Sequence, residues 1–141
     1  MFAAAPLLIL PVGAYNLFIL TLGGGFQIRD AHARLTRPLF QLTTAPGGVW
    51  PVSVADLLLA ASLVVLFIEL LKSTASRRIA IINHSLSMLL FVVCLLELLL
   101  APAFATSTFF LITLMVLLDV VAAFILAFGV KGGATEEPEY R

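Results

Sequence analysis

Among the polar and charged residues inside long apolar stretches of this sequence, six have chemistry that needs an explanation: Asn16, Asp56, Glu69, His84, Glu97 and Asp119. A carboxylate in hydrocarbon is costly unless it is neutral, paired or in contact with water. Such groups either hold helices together or carry protons and cations. We therefore expect each of these residues to face another polar group rather than lipid.

The depth of each residue along its helix predicts its partner. The expected pairs are Asn16 with Asp119 near the midplane, Glu69 with His84 toward the inner face, and Asp56 with Glu97 toward the outer face. Packing is favoured for Asp119, because no second acid or histidine shares its layer to continue a proton relay. The alternatives are a proton or cation at Asp119, a proton gate at the inner pair, and hydrated or proton-sharing acids at the outer pair.

The composition excludes a soluble globular protein. Of 141 residues, 62% are hydrophobic and 11% are charged, whereas a soluble domain is about half apolar and about a quarter charged. The eight acidic and eight basic residues cancel, so no basic surface favours nucleic acid. A single cysteine excludes an intramolecular disulfide. The sequence also has no cluster of cysteine and histidine residues of the kind that binds a metal. What remains is a small integral membrane protein whose surroundings are the lipid bilayer.

Four apolar stretches are long enough to cross a membrane, which takes about 20 residues. Pro102 ends the third stretch and Thr106 or Ser107 can cap the fourth, whereas Pro11 is expected to kink the first. The sequence therefore predicts an all-α fold, with four transmembrane helices in an antiparallel bundle. The expected domain is 1–130, with spans at 2–22, 52–71, 79–101 and 106–130, followed by a flexible polar tail at 131–141.

Small and polar residues recur on one face of the third span, at intervals of four and three: Asn83, Ser87, Leu90, Cys94, Glu97 and Ala101. This is the spacing of a seam between two packed helices. On the second span Ala55, Ser62 and Glu69 are seven residues apart. We expect both faces to point into the bundle and the remaining apolar faces to contact lipid.

The connection between the first two spans, residues 26–45, has the pattern of an amphipathic helix. Apolar residues fall in one arc of a helical wheel: Ile28, Ala31, Leu35, Leu39 and Leu42. Arg29, Arg34 and Arg37 lie on the other side, and Asp30 can pair with Arg34 one turn away. We predict a helix in the membrane interface, broken at Pro38 and anchored by Trp50 and the three arginines. A cover for the bundle is favoured over a docking surface for a partner.

Basic residues predict the orientation, because they accumulate on the cytoplasmic side. One side of the predicted bundle carries three arginines, in the first connection. The other side carries five basic residues: Lys72, Arg77, Arg78, Lys131 and Arg141. We therefore expect a multi-pass protein with both termini in the cytoplasm.

No arrangement of residues indicates an enzyme or a cofactor. The sequence has no Ser/His/Asp grouping and no phosphate-binding loop. His32 and His84 are expected at opposite faces of the membrane, which excludes a haem held by two histidines of one chain. Ala80 before His84 has a spacing that could seat a pigment ring, but ordinary helices often contain it. A lipid-modifying enzyme that uses His84 and Glu69 is also disfavoured.

Several short motifs follow one another after residue 50. They are Trp50 with Ser53 and Asp56, residues 67–69 with Lys72, residues 84–91, and residues 105–112 leading to Asp119. In these motifs the chain resembles a family of small four-helix inner-membrane proteins of alphaproteobacteria. The resemblance implies a location in the bacterial inner membrane and carries no activity.

The sequence is compatible with two functions. The first is a non-catalytic accessory or scaffold subunit, which associates with other membrane subunits or with itself. It is favoured by the missing catalytic groups and by the short connections. The alternative is a small transporter or channel that conducts protons or cations through Asp119. Because side chains fill the interior of a single four-helix bundle, conduction would need several copies.

Overall fold

The computed structural model describes residues 5–21, 24–45, 47–73 and 77–129. The chain is mostly helical, with the elements α1 Ile9–Thr21, α2 Ala31–Leu35, β1 Pro38–Thr44, β2 Gly48–Ser53, α3 Val54–Ser73, α4 Arg77–Leu100 and α5 Ser107–Phe128. The predicted tail at 131–141, with Lys131 and Arg141, lies outside the described residues, as do the first residues of the predicted first span.

Among the residues that the structure describes, three helices are long and apolar enough to cross a membrane. Their spans are Val54–Lys72, Ala80–Leu100 and Ser107–Phe128, with 19, 21 and 22 residues. At about 1.5 Å per residue each covers about 30 Å, the thickness of a bilayer's hydrocarbon core. The prediction of a helical membrane protein is confirmed at this level.

α5 is the central helix of the group, because it packs against both α3 and α4. A short 3-10 turn, Pro102–Phe104, connects α4 to α5. The side chain of Thr106 accepts a hydrogen bond from the Phe109 backbone N–H at 3.2 Å and caps the new helix, as the sequence predicts. Alanines on α5, including the buried Ala123 and Ala127, allow neighbouring helices to approach closely.

α1 is shorter than the predicted first span. It has 13 residues and a length of about 20 Å, so by length alone it does not cross a bilayer. The predicted kink at Pro11 is wrong, because the helix begins at Ile9 and Pro11 lies in its first turn. There the missing N–H removes no hydrogen bond within the helix.

The predicted amphipathic helix at 26–45 is wrong except at Ala31–Leu35, because residues 26–30 form turns and bends. α2 has five residues, and after it the strands β1 and β2 form an antiparallel hairpin in which Phe40 pairs with Val52 and Leu42 with Trp50. The ring of Pro38 prevents the helix from continuing. Threonine, valine and aromatic residues then favour extended backbone, and the turn uses Gly47 at φ +96°.

An aromatic cluster fastens α1 and the segment that follows it to the turn between α4 and α5. The Tyr15 ring lies 5.3 Å from that of Phe104 and 4.7 Å from that of Phe109, between ring centres. Phe26 stacks on Phe104 at 5.5 Å, and its carbonyl accepts from the Ala103 N–H at 3.2 Å. We call this part of the molecule, residues 24–54 and 101–106, the hairpin end.

Candidate functional site

At the opposite end of α3, the buried Glu69 forms an ion pair with Lys72, whose side chain is 18% exposed. Lys72 Nζ lies 3.0 Å from Glu69 Oε1, and the Glu69 side chain is fully buried. Glu69 Oε2 accepts a hydrogen bond from the Leu7 backbone N–H at 2.7 Å, while Lys72 donates to the carbonyl oxygen of Ala5. The pair therefore binds the chain just before α1.

The predicted pair of Glu69 with His84 is wrong. Lys72 was counted as a loop residue, but its long side chain reaches back one turn along α3 and neutralises Glu69. His84 instead lies with Nδ1 3.2 Å from the carbonyl oxygen of Val120 on α5. Its ring packs against Phe124 and Phe128 at 5.7 and 6.3 Å between ring centres. His84 thus joins α4 to α5.

The predicted pair of Asn16 with Asp119 is also wrong. Asn16 Nδ2 donates to Glu97 Oε2 at 3.3 Å and to its own helix at the Val12 carbonyl, at 3.1 Å. The prediction takes the first span as residues 2–22, but α1 begins only at Ile9, so its middle lies nearer the hairpin end. This displacement brings Asn16 level with Glu97 on α4.

Asp119 is buried, with 1% of its surface exposed. Ser87 on α4 donates its hydroxyl to Asp119 Oδ2, so this contact joins α4 to α5. Within the described ranges, Asp119 Oδ1 has no hydrogen-bond partner. Glu69, Lys72 and His84 lie within electrostatic range of the carboxyl group. The arrangement holds two helices together and leaves one buried oxygen that can take a proton.

Asp56 belongs to a helix cap and not to a pair with Glu97, so this third predicted pair is wrong as well. Asp56 Oδ2 accepts from the Ser53 backbone N–H at 2.9 Å and from its hydroxyl at 2.7 Å. In return, the Asp56 N–H donates to Ser53 Oγ at 3.3 Å. This reciprocal arrangement is a capping box at the start of α3, and the spacing of serine and acid in the sequence could have revealed it.

The predicted inward faces are confirmed, except that Glu97 and Ala101 are only half-buried. On α4 Asn83, Ser87 and Cys94 have no exposed surface and Leu90 has 8%. On α3 Ala55, Ser62 and Glu69 are 5%, 0% and 0% exposed. The opposite faces of the long helices carry exposed large apolar residues, among them Phe67, Leu89 and Phe124, which suit contact with lipid.

Tyr15 is an important residue that the sequence analysis missed. Its hydroxyl donates to the Ala103 carbonyl at 3.0 Å and lies 2.7 Å from Thr106 Oγ1, and its side chain is fully buried. A tyrosine inside an apolar stretch needs a polar partner for its hydroxyl. That requirement was the available signal, although the partner's position depends on the turn between α4 and α5.

The predicted interfacial anchors lie at the hairpin end. Arg34 Nε lies 3.3 Å from Asp30 Oδ2, which confirms this predicted pair. Arg29 and Arg37 are exposed, and Trp50 on β2 is 53% exposed. Arg34 and Arg37 line a pocket that continues onto apolar residues of α1 and α3.

Across the part of the chain that is described, no group of three or more histidine, cysteine or acidic residues is placed to hold a metal ion. Comparison of the chain with family models, curated proteins and solved structures gives no match.

Proposed function

We propose that this protein is a non-catalytic membrane subunit with four helices in an antiparallel bundle, in which α1 is the fourth. The carrying observation is that its polar side chains tie one helix to another. α1 has three such contacts. Glu69 and Lys72 bind the backbone just before it, Glu97 accepts a hydrogen bond from Asn16 near its middle, and the Tyr15 hydroxyl contacts Thr106. These ties extend from near the end of α3 to the start of α5.

The location in this proposal is a bacterial inner membrane, with both termini in the cytoplasm. The distribution of arginine and lysine supports the orientation, because the side of Lys72 and Arg78 carries more basic residues than the hairpin end. The resemblance to the alphaproteobacterial family supports the membrane. The test is a reporter enzyme that works only outside the cytoplasm, fused to the C-terminus. Activity of this fusion would contradict the orientation.

A groove between α1 and α4 supports association with another membrane protein. It has a volume of about 430 Å³ and an almost wholly apolar lining that includes Ile9, Val12, Gly13, Leu86, Leu89 and Val93. A Cβ atom added at Gly13 would meet no atom within 4 Å, so the backbone of α1 is open to close approach. We propose that an apolar transmembrane helix of another subunit or of a second copy packs there.

Mass measurement after extraction into mild detergent or lipid nanodiscs tests the association. We expect the wild type to appear with partner subunits or as an oligomer. Gly13→Phe fills the groove without an internal clash, so we expect the heavier species to disappear. Val121→Phe adds the same ring to an exposed position on α5 and is the matched control. A lone monomer of the wild type under the mildest extraction would contradict the proposal.

Proton or cation conduction is the second candidate, and the buried Asp119 Oδ1 without a hydrogen bond in the described residues is the observation that favours it. Flux into liposomes is the test. Asp119→Asn keeps an oxygen acceptor for Ser87 but cannot ionise, whereas Glu97→Gln changes an acid outside this contact. Flux that is lost only in Asp119→Asn would support conduction. Equal flux in all three proteins, or none in any, would remove it.

A further inference from the structure

A pocket at the hairpin end takes no part in either of the two functions proposed above. Its volume is about 410 Å³, and it is lined by Phe18, Arg34, Arg37, Pro38, Leu39 and Val54. Cavities of this size hold small ligands. The lining combines two guanidinium groups with apolar side chains from α1, β1 and α3. A ligand that fits must therefore carry negative charge at one end and hydrocarbon at the other.

The charge of the pocket comes mainly from Arg37. Arg34 is paired with Asp30 at 3.3 Å, and the two side chains are 46% and 58% exposed. This pair holds the Arg34 guanidinium beside the pocket while much of its charge is balanced. Arg37, in contrast, has no acidic partner in the ranges that the structure covers. The pocket thus has a net positive charge next to an apolar wall.

The position of the pocket in the membrane is given by α3. Val54, one of its lining residues, is the first residue of the candidate span Val54–Lys72. The start of a span lies where hydrocarbon meets the headgroups. Leu17, next to Phe18 on α1, and Leu57, about one turn after Val54 on α3, are 62% and 47% exposed. The pocket thus lies at the ends of two helices that expose apolar side chains.

We propose that this pocket binds the phosphodiester headgroup of an anionic phospholipid from the surrounding bilayer. Arg37 and Arg34 contact the phosphate, whose oxygens match the fork of a guanidinium group. Phe18 and Val54 contact the glycerol region, and the acyl chains lie along Leu17 and Leu57. The proposal does not depend on the association of this protein with other subunits.

Native mass spectrometry of the full chain, with added phosphatidylglycerol as the probe, tests the site. We expect Arg37→Gln to lower retention of this lipid about tenfold, as the loss of one charge-assisted contact implies. Arg37→Lys keeps the charge but loses the fork, so an intermediate loss is expected. Arg29→Gln is the matched control, because Arg29 is exposed in the same connection but does not line the pocket. This variant is expected to lose much less lipid retention than Arg37→Gln.

A second variant tests the pocket without changing charge. Leu39 is 56% exposed and lines the pocket, so Leu39→Trp fills the space and should also reduce retention. Diacylglycerol, which lacks the phosphate, should not be retained. Inorganic phosphate at equal concentration should not displace the lipid.

Three results would overturn the proposal. Equal losses in Arg29→Gln and Arg37→Gln would mean general attraction to the surface. Unchanged retention in Arg37→Gln and Leu39→Trp would mean that the pocket is not used. Displacement by inorganic phosphate would identify a free anion, and not a lipid, as the ligand.

Discussion

The two ends of this molecule use charged side chains in opposite ways. Glu69 and Lys72 are turned inward, and their charges are satisfied by one another and by the backbone before α1. At the hairpin end, Arg29 and Arg37 are turned outward. A buried pair resists the loss of either member far more than an exposed charge does. The first end therefore holds helices together, whereas the hairpin end is available for contact with the membrane surface.

The largest expected effect comes from breaking the buried pair on one side. Lys72→Met leaves the Glu69 carboxylate buried without a counter-charge, which costs about 3 to 5 kcal/mol. Glu69→Gln should cost less, because the amide oxygen still accepts from Leu7 and the lysine can extend to water. The free energy of unfolding of each variant, measured by the loss of helicity during denaturation in micelles, checks this ranking.

The double variant of Glu69→Gln with Lys72→Met sharpens this comparison. It should recover part of the loss, with a coupling energy of at least about 1 kcal/mol. Arg78→Gln, an exposed basic residue at the start of α4, is the control and should leave stability unchanged. Strictly additive losses would contradict the buried pair.

The next effect concerns Tyr15, which is a buried polar tie at the hairpin end. Tyr15→Phe keeps the ring contacts with Phe104 and Phe109 but removes the hydroxyl that contacts Ala103 and Thr106. We expect a loss of about 1 to 2 kcal/mol in the same unfolding measurement. Phe110→Leu, at an exposed position of α5, should have no effect. A Tyr15→Phe variant as stable as the wild type would mean that the hydroxyl ties nothing.

A smaller effect is expected where the hairpin meets α3. Ser53→Ala removes the hydroxyl from the capping box with Asp56 and should cost about 1 kcal/mol. Asp56→Asn retains an acceptor for the Ser53 N–H and should cost less. The ranking is checked by melting curves of the two variants, and the reverse order would contradict the cap.

The smallest effect on stability is expected for Trp50, which is exposed on the hairpin. Trp50→Phe should change the free energy of unfolding by no more than about 0.5 kcal/mol. Its fluorescence is nevertheless informative, because the chain has one tryptophan. We expect lipids brominated near the glycerol to quench it more than lipids brominated at the chain end. Quenching by neither would place the hairpin away from the membrane surface.

The sequence predicts well whatever depends on local pattern. Span length predicted α3, α4 and α5, and the spacing of Ser87, Cys94 and their neighbours predicted the buried face of α4. The pairs across helices failed because depth was counted from assumed helix centres. Because α1 begins later than predicted, Asn16 lies at the depth of Glu97 and not of Asp119. Lys72 lies just beyond the predicted second span, yet its side chain pairs with Glu69.

The hairpin was missed for a different physical reason. Leu35, Leu39 and Leu42 recur at helical spacing, but the last two lie in β1, whose seven residues are all exposed. Periodicity reports which residues would share a face of a helix and does not report whether the backbone is helical. Pro38, together with the valine, threonine and tryptophan that follow, carried the information that separates the two structures.

The central claim is that α1 crosses the membrane together with the three long helices. Cysteine labelling from each side tests it directly, because the natural Cys94 is fully buried and should not react. We expect a cysteine added before Met1 to be labelled from the same side as Arg78→Cys, and Gln27→Cys, in the connection after α1, from the other side. Labelling of the added cysteine and Gln27→Cys from one and the same side would contradict the account.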